Sequence, residues 1–175
     1  KQLPIFPPER YNCEANWDKT TSVSAWLFLR VLELTFTAWD LEPFARDCGF
    51  DGPPFHWNEN RWFLLRAELD AAFFHLYLPA DVNGDWQQAE NETPEELARL
   101  KAAFATPRAA VDYIMDTFPI VKRKDEEKYN GDYRTKRVIL EIYDAMATAI
   151  RTGQPYLIRL NPPPADRALC HPGRA

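Results

Sequence analysis

Lysine and arginine side chains crowd one short stretch of this chain, and the chemistry they offer is neutralisation of phosphate. Within Thr117 to Arg137, TFPIVKRKDEEKYNGDYRTKR, seven bases fall in sixteen positions: Lys122, Arg123, Lys124, Lys128, Arg134, Lys136 and Arg137. Tyr129 and Tyr133 lie among them and could contact sugar or stack on a base. Four acids (Asp125, Glu126, Glu127, Asp132) reduce the segment to +3, in a chain whose net charge is −5. A local reversal of sign suggests a surface facing a polyanion. The bland alternative is a solvated connector whose own acids neutralise it. Arg134, Lys136 and Arg137 fall early in the helix expected next, where the helix dipole disfavours cations; a phosphate there would offset that cost.

Other constellations are weaker. Asp116 with Asp125, Glu126, Glu127 and Lys128 has the residue types of a magnesium-dependent nuclease. The i,i+3 and i,i+4 spacing suits solvated ion pairs on a helix better. Asn161-Pro162-Pro163-Pro164 invites comparison with the Asn-Pro-Pro-aromatic loop that holds a flipped adenine. Pro164 supplies no aromatic ring, and the chain's six glycines form no G-x-G pattern, so a structural segment is expected. His56, His75 and His171 lie far apart without ligand spacing, and His75, among apolar residues, reads as a packed histidine. Cys13, Cys48 and Cys170 give neither a disulfide framework nor a zinc signature. No catalytic residue and no metal ligand is therefore expected.

The elements that must position the basic segment read as helix after helix. Residues 1–21 hold three prolines without a sustained period and suggest an extended arm. Ser22 or Ser24 can cap a largely buried helix to about Thr37, and Asp40 a short one closed by Gly49. Asn58 can cap a long helix to about Leu78, with Trp62, Leu65, Leu69, Ala72, Phe73 and Leu76 as its core face. Residues 79–92 look like a flexible insertion. Thr93-Pro94-Glu95-Glu96 is a capping box, and Thr106-Pro107 opens another helix, ending near Phe118. Pro119 should separate that helix from one or two turns over Lys122 to Asn130. Asp132 should cap the last helix, Tyr133 to about Thr152, whose apolar stripe is Val138, Ile139, Ile142, Met146, Ala149 and Ile150. LIRL, 157–160, is the best strand candidate, and 153–175 a proline-rich tail. The expected class is all-α: an irregular multi-helix bundle over 22–152, between arm and tail.

Length and composition suit one globular domain. Six Trp and eleven Phe are many, and Trp17, Trp57 and Trp86, outside the clear helix faces, are candidate anchors for a partner protein. An acidic chain is not a wholesale nucleic-acid binder, though a patch remains possible. No run is long and apolar enough for a membrane span, and the cysteine usage fits a reducing, cytoplasmic setting. A first residue of Lys rather than Met reads as a piece of a longer polypeptide.

The runs VLELTFTAWDLEPFARDCGFDGPPFHW, RWFLLRAELDAAFFHLY and YIMDTFPIVKRKDEEKYNGDYRTKRVILEIYDAM resemble the C-terminal region of large bacterial adenine-N6 DNA methyltransferases. These are type IIG-like restriction–modification proteins and related phage-defence methylases of the DISARM kind. The likeness covers roughly Val31 to Met146 and includes no catalytic motif. It implies a non-catalytic helical domain that helps hold target DNA or positions the recognition domain. The alternative is a module docking on the methyltransferase core or a partner subunit without touching DNA. The family's S-adenosylmethionine loop lies upstream, so the resemblance implies no cofactor in this chain and S-adenosylmethionine in its parent. The implied partners are double-stranded DNA, through its backbone, and the parent's upstream domains, with no membrane. The insertion 79–106 is longer than the resemblance leads one to expect.

Overall fold

Serine and threonine caps set much of the architecture seen in the computed structural model, which describes residues 5–89 and 92–174. The chain is mostly helical. Two compact units make it up: Lys1–Arg66 with Leu157–Ala175, and Ala67–Tyr156.

In the first unit, the stretch expected to be an extended arm holds a 3-10 turn, Pro8–Asn12, and a small antiparallel hairpin of β1 (Glu14–Ala15) and β2 (Asp18–Ser22). Its order has an apolar cause. Ala15 and Trp17 are fully buried, and the Trp17 ring meets Trp26 edge-on at 5.3 Å. Helix α1 (Val23–Thr35) starts at Ser22, whose Oγ accepts from Ala25 N at 3.1 Å. One face carries Val23, Trp26, Leu27 and Leu32 inward; Phe28, Leu29 and Val31 stay exposed, so this helix is less buried than its composition suggests. Asp40 caps nothing. A 3-10 turn, Trp39–Leu41, runs directly into α2 (Glu42–Asp47), leaving no free helix start for its carboxylate to cap. Leu32, Phe36, Ala45 and Phe55 form the core, with Phe50, Leu169 and Cys170 packed against it.

The tail docks on this core. Phe55 and Cys170 form an antiparallel bridge, and His56 N donates to Leu169 O at 2.8 Å. No strand forms over 157–160, where Leu157 stands in solvent and Leu160 is buried.

Helix α3 (Glu59–Tyr77) begins in the first unit, with Asn58 Oδ1 accepting from Arg61 N at 2.9 Å. In the second unit its innermost residues are Ala67, Glu68, Ala71, Ala72 and His75, while the larger Leu69, Phe73 and Leu76 are only half-buried. Small residues allow close approach, which moves the buried stripe off the large apolar side chains. Glu68 accepts from the Tyr156 hydroxyl at 3.0 Å. Residues 79–89 are a structured turn. Ala80 and Trp86 form a bridge, Asp81 Oδ1 accepts from Asn83 N and Asp85 N, and the buried Trp86 donates Nε1–H to Phe104 O at 2.8 Å. Helix α4 (Pro94–Ala103) starts on the full capping box of Thr93 and Glu96. Helix α5 (Pro107–Asp116) starts on Thr106.

Helices α6 (Pro119–Lys128) and α7 (Arg134–Thr152) carry the basic segment. Pro119 does not stand between elements; it is the first residue of α6, where its missing N–H has no partner to lose. Asn130 and Gly131 both adopt positive φ and turn the chain. The α7 stripe Val138, Ile139, Ile142, Met146 and Ala149 is buried, as its 3.6-residue period requires, and Gly153 ends the helix in the left-handed region.

Candidate interaction surface

Helix α6 has no buried residue. It is tied to α7 through a polar side chain. Asp125 turns inward and its Oδ2 accepts from Thr135 N at 2.6 Å, capping α7 from another element. Asp132, expected in that role, pairs with Arg137 Nη2 at 2.7 Å instead, and Tyr133 occupies the N-cap without a side-chain bond. The N-terminus of α7 thus receives a carboxylate from α6, which offsets part of the cost of placing cations there. The Tyr133 hydroxyl donates to Met115 O at 2.9 Å, and burial raises its pKa.

The fold supplies partners to the bases. Lys136 Nζ donates to Asp116 at 2.8 Å and sits 3.1 Å from Asp112, two acids one turn apart on α5. Burial alone would lower the Lys136 pKa, but these two carboxylates outweigh it and raise it. The Asp116 carboxyl is held below its usual range by that same bond from Lys136, and Asp132 by its bond from Arg137. Arg137 also reaches Glu141 at 3.1 Å. Arg134 donates to the Tyr129 hydroxyl at 2.8 Å and lies 5.0 Å from that ring's centroid; Lys128 Nζ is 5.4 Å from it. On α6, Lys122 faces Glu126 at 4.0 Å and Arg123 faces Glu127 at 3.9 Å. Lys124 is exposed.

The electrostatic consequence is large. Asp112 and Asp116 stand beside Lys136 and Glu141 beside Arg137, so three acids outside the segment offset much of its +3, while Arg108 also reaches Asp112 at 3.6 Å. Spacing held the signal for this: Asp112 and Asp116 share one face of α5, and Glu141 lies four residues after Arg137.

The carboxylates with nuclease-like residue types do not converge. Asp116 is taken by Lys136, Asp125 by Thr135 N, Glu126 by Lys122 and Glu127 by Arg123. Among the described residues no group of three or more His, Cys, Asp or Glu could hold a metal ion. His75 is buried, its ring stacked on Tyr143 at 3.9 Å and its Nε2 3.0 Å from Tyr143 O. An open cleft of about 290 Å³ beside it is lined by Asp81, Arg108, Asp144, Thr148 and Arg151. Arg108 and Asp144 close their charges on each other there, at 2.9 Å. Asn161 to Pro164 is structural: the Pro162 and Pro163 carbonyls accept from Arg61 at 2.8 and 3.1 Å, and Pro164 is buried. These carbonyls are committed to the fold, so the segment does not suit S-adenosylmethionine chemistry on adenine.

Several large apolar side chains also stand in solvent. At the junction of α5 and α6, Tyr113, Phe118, Ile120 and Val121 are exposed, Ile120 by 62%. A shallow groove of about 310 Å³ in the same unit is lined by Ile114, Phe73, Phe74, Tyr77 and Leu78. Of the three tryptophan anchors expected, Trp17 and Trp86 belong to the cores, whereas Trp57 is 61% exposed, held edge-on by Trp62 at 6.0 Å. Among the described residues no helix is long and apolar enough to cross a membrane. No family model matches the chain, and neither a curated protein nor a solved structure matches it.

Proposed function

We propose that the chain is a non-catalytic helical module of a bacterial restriction–modification or phage-defence DNA methyltransferase, and that it works by docking on the other domains of that protein. S-adenosylmethionine would be bound by the parent's upstream domains and not by this chain. The observation that carries docking is the exposure of Tyr113, Phe118, Ile120 and Val121 on and between α5 and α6, in a region where the acids of α5 offset part of the basic charge. Aromatic and aliphatic side chains left uncovered together mark contact surfaces. The Ile120→Asp variant, altered where the side chain stands in solvent, should keep its helix content. It should bind the separately expressed remainder of the parent at least about tenfold more weakly. Equal affinity by calorimetry would remove this surface from the interface.

A second reading, contact with the DNA backbone, rests on α6. Its ion pairs, at 3.9 and 4.0 Å, are long and exposed, and such pairs contribute only about 0–1 kcal/mol, so phosphate could replace the acids. If Lys122, Arg123 and Lys124 each neutralise a phosphate, log affinity for a random duplex should fall with log salt at a slope of about −3. Replacing all three by Ala should then flatten it. Docking without DNA contact expects the wild-type chain and the triple variant to bind the duplex equally weakly at about 50 mM salt.

A further inference from the structure

The fold brings His56 and His171 into ring contact, with centroids 3.7 Å apart and planes tilted by 50°. Both side chains are exposed. Neither ring has a hydrogen-bond partner among the described residues, whereas His75 spends its Nε2 on a backbone carbonyl. Two neighbouring imidazoles thus present uncommitted nitrogens to solvent. Their backbones are fixed: His56 N donates to Leu169 O and His171 N to Pro54 O, each at 2.8 Å, on either side of the Phe55–Cys170 bridge. Phe55 is fully buried, so the bridge is anchored in the core.

We propose that His56 and His171 form a two-imidazole binding site for a divalent transition-metal ion of the nickel, copper and zinc class. Such ions take imidazole nitrogen at roughly 2.0–2.1 Å, which sets two ligand nitrogens roughly 3 Å apart. Centroids 3.7 Å apart put the two rings on the scale of that separation, and the fixed backbones reduce the ordering cost of binding. Among the described residues no third His, Cys, Asp or Glu completes the group, so water or a group from a docked partner fills the other positions. Imidazole with water suits nickel, copper and zinc, and calcium and magnesium poorly, with copper the tightest of the series. No carboxylate bonded to either ring orients it, which sets the affinity below that of a structural zinc centre. The bound ion joins the segment before α3 to the tail, closing a long loop of chain, so it stabilises the docked tail.

The test uses the full chain carrying Cys13→Ser, which removes the exposed thiol as a competing ligand. Calorimetric titration with nickel chloride after removal of trace metal should give one ion per chain. Affinity should drop at least about tenfold in His56→Ala and equally in His171→Ala, with little further loss in the double variant. Unchanged affinity in either variant, or no saturable binding by about 1 mM nickel, overturns the site. Substoichiometric copper gives a second measurement that needs no histidine variant. The imidazole proton signals of His56 and His171 should broaden while those of His75 stay sharp. Broadening centred elsewhere overturns the assignment.

Discussion

Replacing Glu33 by Ala should lower the stability of the folded chain by about 3–5 kcal/mol, the loss expected when one member of a buried ion pair is removed and its partner stays behind. Glu33 is 1% exposed. Its two carboxylate oxygens accept from Arg61, Nε at 2.5 Å and Nη2 at 3.0 Å. Oε2 also accepts from Ala165 N at 2.9 Å. Arg61 continues the network to the carbonyls of Pro162 and Pro163. Without the carboxylate, a guanidinium only 11% exposed keeps its charge and loses its counter-ion, and the Ala165 N–H loses its acceptor.

Chemical denaturation of the wild type and the variant measures the loss, and a difference below about 0.5 kcal/mol would refute the role. A second readout separates this role from generic core packing. Amide exchange at Ala165 should accelerate far more than exchange along α4, because the network's members, Glu33, Arg61 and residues 162–165, all belong to the first unit. The pair of changes Glu33→Leu with Arg61→Met removes both charges and should recover part of the lost stability. It cannot restore the bonds to Pro162 and Pro163, so exchange at Ala165 should stay fast even where global stability returns.

The sequence made this network hard to see, since its members are separated by most of the chain. Local devices were legible. Asn58, Thr93, Thr106 and Gly153 start or stop helices where the local pattern puts them, and of the two serines that could open α1 it is Ser22 that caps it. Asp132 was misread because the carboxylate serving α7 comes from α6, a choice settled by tertiary contact. Pro119 was read as a break because a proline that ends one helix can equally be the first residue of the next. Charge was legible along the chain and misleading in space: the +3 of the basic segment is largely offset once α5 sets Asp112 and Asp116 beside Lys136. The histidine pair followed the same rule in reverse, two unremarkable residues joined only by the docked tail. Sign reversals in a sequence therefore support a polyanion surface only after the neighbouring elements have been counted.

Lowering the pH from about 7 to about 4 should cost the wild-type chain up to roughly 3 kcal/mol more than it costs a His75→Gln variant. Burial holds the His75 pKa down at about 4, against 6.5 for a free histidine; the bond to the Tyr143 carbonyl and the nearby Asp144 charge only partly oppose it. The sign follows from proton counting. Between about 6.5 and about 4 the unfolded chain binds a proton at residue 75 and the folded chain does not, so acid favours unfolding across that window. Above it neither form is protonated and the term vanishes; below it both are and the loss is complete. Gln keeps an N–H that can reach the Tyr143 carbonyl and cannot titrate, so the two proteins share every other acid-sensitive group, including Asp116 and Asp132. The difference between their unfolding free energies, measured in urea at several pH values, isolates the histidine. A difference that stays constant from about pH 7 to about pH 4 would mean that the folded chain admits the proton as readily as the unfolded one. His75 would then not be the buried, neutral ring stacked on Tyr143.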